Sequence, residues 1–265
     1  MRYTHGHAAD TLAAHAVRRA SDSAAYLLPH LEPGMALLDV GCGPGTITLD
    51  LAEAVDPGRV VGLENVEAPL VAARAKAAER GDTTTTWQLG DVRALPFDDD
   101  TFDVVHAHQV LQHLGDPVAA LREMARVCRP GGLVAARDAD YAAMAWHPEV
   151  PELDEWRAAY RTLARRNGAE PDAGRRMRAW ARAAGLTDAV FSASAWSYTD
   201  AEATAWWGET WAGRVREPRF REQAAEIGLG DHDLARIAQG WRRWGADPDA
   251  WFTITHGELL ARLPG

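Results

Sequence analysis

Short apolar runs alternate with amphipathic segments through the first half of the chain. The runs at residues 36–40 and 102–107 contain few polar positions, which is typical of strands covered on both faces. Residues 46–55 instead repeat apolar side chains at helical spacing. Strands and helices that alternate in this way predict right-handed βαβ units and an open parallel sheet.

The full pattern defines an α/β fold. It predicts seven strands, at residues 36–40, 59–63, 84–89, 102–107, 133–138, 189–198 and 251–255. It predicts helices at residues 8–31, 46–55, 69–80, 117–128, 151–166, 174–184 and across 200–247. We therefore expect one doubly wound, mostly parallel seven-stranded sheet in a single domain spanning 1–265, with an N-terminal helical cap and a helical insertion near the C-terminus.

Composition narrows the class of protein. The chain has 265 residues, of which 47% are hydrophobic, and a formal net charge of −10, which argues against a surface built for nucleic acid or anionic lipid. No apolar stretch approaches the length of a membrane span, and the N-terminus lacks the apolar segment of a signal peptide. Cys42 and Cys128 are too few for a disulfide framework or a metal quartet, so we expect a cytoplasmic protein with reduced thiols.

A glycine turn follows the first predicted strand. Gly41, Gly43 and Gly45 alternate with other residues, which lets the backbone approach a ligand closely just before a helix N-terminus. A dinucleotide fingerprint would place a third small residue at position 46, where this chain has Thr46. Taken alone, the turn is also compatible with a purely structural tight turn.

Two carboxylates end the next two predicted strands. Glu64 lies about twenty residues after the glycines, where an acidic residue often binds ribose hydroxyls. Asp91 ends the third strand, where it could accept a hydrogen bond from an adenine amino group. Each acid alone could be a solvated strand end, but three such signals in succession indicate a nucleoside site.

These motifs resemble those of class I S-adenosylmethionine-dependent methyltransferases. The resemblance is strongest to the small-molecule branch that includes the ubiquinone and menaquinone C-methyltransferases, and it covers residues 35–138. The motifs are LDVGCGPG at 38–45, GLE at 62–64, GDV at 90–92, LPF at 95–97, FDVV at 102–105 and the segment from 121 through PGG at 130–132. The family usually has Asp where this chain has Glu64.

The resemblance implies a division of the chain and a set of cofactor contacts. Residues 1–34 would form a cap or lid, 35–140 the cofactor-binding core, and 141–265 the substrate-side helices, insertion and last strands. S-adenosylmethionine would be the cofactor and S-adenosylhomocysteine the product. The residues expected to contact the cofactor are Asp39, Gly41, Cys42, Gly43, Glu64, Asn65, Asp91, Val92, His108 and Gln109.

Candidate acceptor-side residues lie near the same edge of the sheet. His113 is the preferred general base, because histidine titrates near neutral pH, although it could also simply pack near the cofactor. Asp138, at the end of the fifth strand, and Tyr141, just after it, could orient a substrate, although Asp138 could also simply pair with a neighbouring arginine. Tyr3 and His5 could close over the methyl site, or could belong to a frayed terminus.

Two further sequence features bear on ligands. Histidines at positions 5 and 7 lack a third ligand nearby, so we expect no metal site. Eight of the eleven tryptophans fall at or after residue 180, where they could fill a helical interface or line a pocket for a flat substrate.

Several functions remain open from the sequence. We expect methyl transfer to oxygen, nitrogen or carbon of a small organic acceptor. The alternative is a member of the fold that binds the cofactor but performs other catalysis or regulation. Thr46 and Asp39 count against an NAD-dependent oxidoreductase, and the net charge counts against an RNA methyltransferase. Homodimer formation is also open.

Overall fold

The computed structural model describes residues 18–265. The strands are β1 (Leu37–Val40), β2 (Val60–Glu64), β3 (Thr86–Leu89), β4 (Phe102–His108), β5 (Cys128–Ala139), β6 (Ala145–His147), β7 (Ala189–Tyr198) and β8 (Trp251–Arg262). The α-helices are α1 (Ala20–Ser23), α2 (Thr46–Val55), α3 (Glu67–Arg80), α4 (Pro117–Val127), α5 (Pro151–Arg166), α6 (Met177–Ala184), α7 (Ala201–Arg214), α8 (Pro218–Ala225) and α9 (Asp231–Gly245). Within this range no helix is both long and apolar enough to cross a membrane.

The first five strands form the parallel part of the sheet, in the order β3-β2-β1-β4-β5. All residues of β1 and β4 are buried, which explains why both read as continuous apolar runs in the sequence. The chain reverses its direction of winding between β1 and β4, which makes this the switch point of the sheet. Ligands of open α/β sheets bind in the crevice at such a switch point. The glycine turn after β1 and the loop after β4 flank this crevice.

The other end of the sheet is antiparallel. Strand β8 pairs with β5, β6 and β7, all in antiparallel register. Because it has partners along its whole length, β8 extends to Arg262, well beyond the predicted end at residue 255. The sheet has eight strands rather than the predicted seven, since the three-residue strand β6 is too short to show a periodic pattern.

The predicted helix at residues 8–31 is wrong within the part of the chain that the structure describes. Residues 18–31 contain only α1 and a 3-10 turn at Leu28–His30. Tertiary contacts determine this conformation: Ala24 and Leu27 are buried in the cluster beneath β1, and the Ala20 N–H donates to the carboxylate of Asp50 at 2.9 Å. Pro29 also lacks the N–H that a longer helix would need.

Tryptophan and tyrosine side chains fill a second core beside the sheet. Trp156, Trp211, Trp241 and Trp244 are fully buried among helices α5, α7 and α9 and the start of β8. The rings of Trp156 and Trp241 meet edge to face with centroids 4.8 Å apart. Most of these tryptophans therefore pack the helical insertion, which was one of the two interpretations of their sequence clustering.

A pair of hydrogen bonds ties the loop after β4 to the end of β5. The Asp138 carboxylate accepts from the Gln112 backbone N–H at 2.9 Å, and the Gln112 side-chain oxygen accepts from the Ala139 N–H at 3.2 Å. The second carboxylate oxygen of Asp138 has no hydrogen-bond partner within residues 18–265. Burial raises the pKa of Asp138 to about 7, against an opposing effect of the backbone hydrogen bonds.

This burial predicts a pH dependence of stability. Because the pKa of Asp138 is higher in the folded than in the unfolded chain, folding takes up a proton between about pH 4 and pH 7. The contribution of Asp138 to stability therefore falls as the pH rises through this window. In Asp138→Asn, which keeps the acceptor for Gln112, we expect a smaller loss of stability between pH 4 and pH 8, by on the order of 2–4 kcal/mol.

Urea unfolding across this pH range measures the effect. The control is Asp98→Asn, which changes an exposed carboxylate that forms no ion pair with a described residue. Identical pH profiles for Asp138→Asn and the wild type would show that the carboxyl titrates normally.

Candidate active site

A cavity of about 480 Å³ opens at the crevice between β1 and β4. Twelve of the residues singled out from the sequence line it, and they come from five separate segments of the chain. They are Asp39, Gly41, Cys42, Gly43, Glu64, Asn65, Asp91, Val92, His108, Gln109, His113 and Tyr141. Tyr3 and His5 lie outside the described residues.

The glycine turn has the backbone conformation that its sequence suggests. Gly41, Gly43 and Gly45 all have positive φ angles, of 66°, 54° and 79°. A Cβ on Gly41 would come within 2.4 Å of Val110 in the loop after β4, so only glycine fits there. A Cβ on Gly43 would meet no atom within 4 Å, which leaves open space above the turn for a ligand.

Asp39 is buried beneath this turn. Its carboxylate accepts from the Thr48 hydroxyl at 2.5 Å and contacts the His106 ring nitrogen Nδ1 at 2.7 Å. These contacts join β1, α2 and β4 around one side chain. Because both oxygens already have protein partners, the structure gives Asp39 a supporting role as well as a place on the cavity wall.

Glu64 brings a carboxylate to the cavity at the end of β2. The Asn65 N–H donates to it at 2.7 Å and the Gly43 N–H at 3.3 Å. It forms no ion pair with a cation anywhere in residues 18–265. Burial raises the pKa of Glu64, and the backbone hydrogen bonds oppose this shift. The carboxylate is therefore held in place while its remaining lone pairs face a partly desolvated space.

Asp91 is more exposed than Glu64. Its two carboxylate oxygens share the single Arg93 Nε–H, at 3.0 and 3.1 Å, and one of them also accepts from the Arg93 Nη2 at 2.5 Å. These bonds lower the pKa of Asp91. A ligand amino group at this position would have to share the carboxylate with Arg93.

The end of β4 contributes two polar side chains in unusual environments. Gln109 has a φ angle of 54°, rare for a residue other than glycine, and its side-chain nitrogen lies 2.8 Å from the His256 Nε2. His108 is 7% exposed, and neither of its ring nitrogens has a hydrogen-bond partner among the described residues. Burial and the nearby charge of Arg137 lower the pKa of His108 well below its ordinary value. Strained or unsatisfied groups of this kind often mark functional sites.

His113 lies on the cavity wall at the end of a 3-10 turn, Leu111–His113. Burial, with the positive charge of Arg18, lowers the pKa of His113 to about 3. The ring is therefore neutral at pH 7 and can accept a hydrogen bond. A base whose conjugate acid has so low a pKa is too weak to remove a proton from an acceptor efficiently at neutral pH. This counts against the general-base role expected from the sequence.

The far end of the cavity is aromatic. Tyr141 lines it, together with Trp196, Trp207 and Trp211 from the tryptophan-rich part of the chain after residue 180. Asp138 does not line the cavity. Its expected contact with substrate is not supported, because its carboxylate is turned toward Gln112 in the loop beneath the wall.

Three arginines at this end were missed in the sequence. Arg18, Arg214 and Arg219 all line the cavity. No local motif distinguishes them from the many arginines on helix surfaces, so only the three-dimensional packing shows their location. Among residues 18–265 no group of three histidine, cysteine, aspartate or glutamate side chains could hold a metal ion.

Comparison with known proteins supports the assignment that these residues suggest. A family model described as a methyltransferase domain matches residues 31–196. A protein of Schizosaccharomyces pombe named as an uncharacterized methyltransferase is 36% identical, over 93% of this chain and 91% of its own length. The demethylmenaquinone methyltransferase of Lactococcus lactis is 36% identical over 45% of this chain and 48% of its own length.

Solved structures show the same fold. YcgJ of Bacillus subtilis superposes with a TM-score of 0.60 at 19% identity, covering 92% of this chain and 98% of that one. A phosphoethanolamine N-methyltransferase of Haemonchus contortus, solved with phosphomonomethylethanolamine and S-adenosylhomocysteine, has a TM-score of 0.55 at 18% identity, covering 89% and 50%. Together with the sequence matches, these findings confirm the resemblance seen in the motifs: the chain belongs to the S-adenosylmethionine-dependent methyltransferases.

Proposed function

We propose that the cavity between β1 and β4 binds S-adenosylmethionine and that the chain transfers its methyl group to a small organic acceptor. The observation that carries this proposal is the Glu64 carboxylate, fixed by two backbone N–H groups and left without a cation beside an open glycine turn. A ribose diol offers two hydroxyl donors, which is the partner that such a carboxylate lacks. The residues present therefore fit the nucleoside part of the cofactor.

The other cavity residues complete the proposed cofactor site. Asn65, Asp91 and Val92 would surround the adenine ring, and Asp91 would accept from its amino group. The glycine turn, with Cys42, would face the ribose and the methionine part. His108 and Gln109 would line the methionine part from the end of β4. Asp39 would act from beneath the turn, where it holds β1, α2 and β4 together.

The cofactor would supply a methyl group on a positively charged sulfur, already activated for in-line displacement by a nucleophile. The protein then mainly has to orient the two reactants and exclude water. The walls built from Tyr141, Met144, Trp207 and Ile254 suit both tasks, because they are largely apolar and come from packed elements.

His113 would contact the acceptor or the cofactor as a neutral hydrogen-bonding group. Its low pKa gives no support to a general base, so we propose a positioning role for this side chain. An acceptor that is already nucleophilic at neutral pH needs no proton removed before methyl transfer.

The acceptor is proposed to be a small molecule. The cavity, at about 480 Å³, is of the size that holds small ligands, and the net charge of −10 does not suit nucleic acid. The match to demethylmenaquinone methyltransferase covers less than half of this chain, so it gives no reason to assign a quinone substrate. Homodimer formation and a cytoplasmic location stay predictions.

Replacement of Glu64 tests the cofactor site. In Glu64→Ala we expect the Kd for S-adenosylmethionine to rise by roughly 5- to 150-fold, corresponding to about 1–3 kcal/mol for orphaned hydrogen-bond partners. Calorimetric titration measures this change. Glu67→Ala, which removes an exposed carboxylate from the first turn of α3, is the control and should bind like the wild type. Equal affinity in Glu64→Ala would remove Glu64 from the site.

Replacement of His113 tests the acceptor side. In His113→Ala we expect methyl transfer, measured as S-adenosylhomocysteine release with an accepted substrate, to fall more than the affinity for S-adenosylmethionine. Because the ring is already neutral, His113→Gln should restore part of the rate by replacing a hydrogen-bonding group. Wild-type turnover in His113→Ala would reduce His113 to a packing residue.

A further inference from the structure

Arg214 is a buried cation with no counter-charge among residues 18–265. It is the last residue of α7, is 7% exposed and lines the cavity. Its Nε and Nη2 atoms have no hydrogen-bond partner, and it forms no ion pair with any carboxylate in residues 18–265. Its one ring contact is with Trp211, whose centroid lies 5.1 Å from the guanidinium carbon. Burial of an unpaired charge is costly, so this arrangement calls for an explanation.

Arg137, the other buried arginine of the described residues, has the opposite charge that Arg214 lacks. Arg137 lies within 3.3 Å of the Glu258 carboxylate, which supplies an opposite charge inside the fold. Arg214 has only the C-terminal end of its own helix and the face of Trp211 to favour its positive charge. Neither supplies a full negative charge.

The distribution of charge along the cavity places Arg214 away from the proposed nucleoside site. The carboxylates of Asp39, Glu64 and Asp91 belong to β1, β2 and the segment after β3, on one side of the switch point. Arg214 and Arg219 come from the helical insertion beyond β5, on the other side. Arg219, like Arg214, forms no ion pair with a described carboxylate. Apart from Arg93, which is paired with Asp91, the charged residues of the cavity wall are thus acidic on the side of the early strands and basic on the side of the helical insertion.

We propose that the acceptor carries an anionic oxygen group, a carboxylate or a phosphate, on a flat apolar body, and that Arg214 binds this group. Arginine is well suited to both anions, and the aromatic side chains of Tyr141, Trp207 and Trp211 provide flat surface beside it. The proposal rests on the proposed function, because it assigns the substrate class of the same cavity.

Calorimetric titration of the full chain, saturated with S-adenosylhomocysteine, tests the proposal. The probes are benzoate and 2-naphthoate, the phosphates phenyl phosphate and 2-naphthyl phosphate, and the neutral amides benzamide and 2-naphthamide. For at least one ring system we expect an anion to bind about tenfold or more tightly than its amide, as a charge-assisted hydrogen bond would give. The carboxylate and phosphate arms show which anion the site takes.

Variants of Arg214 assign the effect to this side chain. Arg214→Gln should abolish the preference for the anion, and Arg214→Lys should retain part of it. Arg216→Gln, two residues along on the exposed surface, is the matched control and should behave like the wild type. All three should keep wild-type affinity for S-adenosylhomocysteine, which also shows that they are folded. Arg214→Met is the substitute if Arg214→Gln fails this check.

The outcomes separate the two proposals. If S-adenosylhomocysteine does not bind to the wild type, the proposed function fails. If it binds but no anion binds more tightly than its amide, or the preference survives in Arg214→Gln, the assignment of an anionic acceptor to Arg214 is wrong while the cofactor site stands.

Discussion

The buried carboxylate of Asp39 holds the functional part of this structure together. It lies at the end of β1 and bonds to Thr48 in α2 and His106 in β4, so a single side chain connects the three elements that meet at the switch point. A buried carboxylate is costly unless such partners satisfy it. Because both partners are in place, the glycine turn directly above it can present open backbone to a ligand.

Around this centre the cavity has two ends with opposite charge. Carboxylates from the early strands lie at one end, and arginines from the helical insertion at the other. Several of these groups have incomplete bonding among residues 18–265: there Glu64 has no cation, Arg214 has no anion, and His108 has two unpaired ring nitrogens. Each of these three groups lines the cavity, so a bound ligand can supply the missing partner.

Local sequence patterns were sufficient to predict several elements and the cofactor-side residues. Helices α2 and α5 and strand β7 have the predicted bounds. The apolar positions of both helices face a core at regular spacing, whereas no residue of β7 is buried and Val190 is exposed. The cofactor-side residues could also be found, because a glycine turn and strand-end acids stand at fixed positions in an α/β fold.

The remaining features depend on long-range contacts. The predicted N-terminal helix was wrong over residues 18–31, because packing against α2 and β1 outweighs helical periodicity there. Asp138 was placed near substrate because strand ends usually face the crevice, whereas its carboxylate bonds to the loop after β4. The role of Arg214 could not be predicted, because no sequence pattern distinguishes this buried arginine from the many other arginines on helices.

The central claim is that this cavity is built for S-adenosylmethionine rather than for a dinucleotide. Calorimetric titration of the purified protein with S-adenosylmethionine, with NAD as the control, tests it most directly. We predict saturable, one-to-one binding of S-adenosylmethionine and none of NAD. Binding of NAD in its place, or of neither ligand, would contradict the assignment of the glycine turn and Glu64.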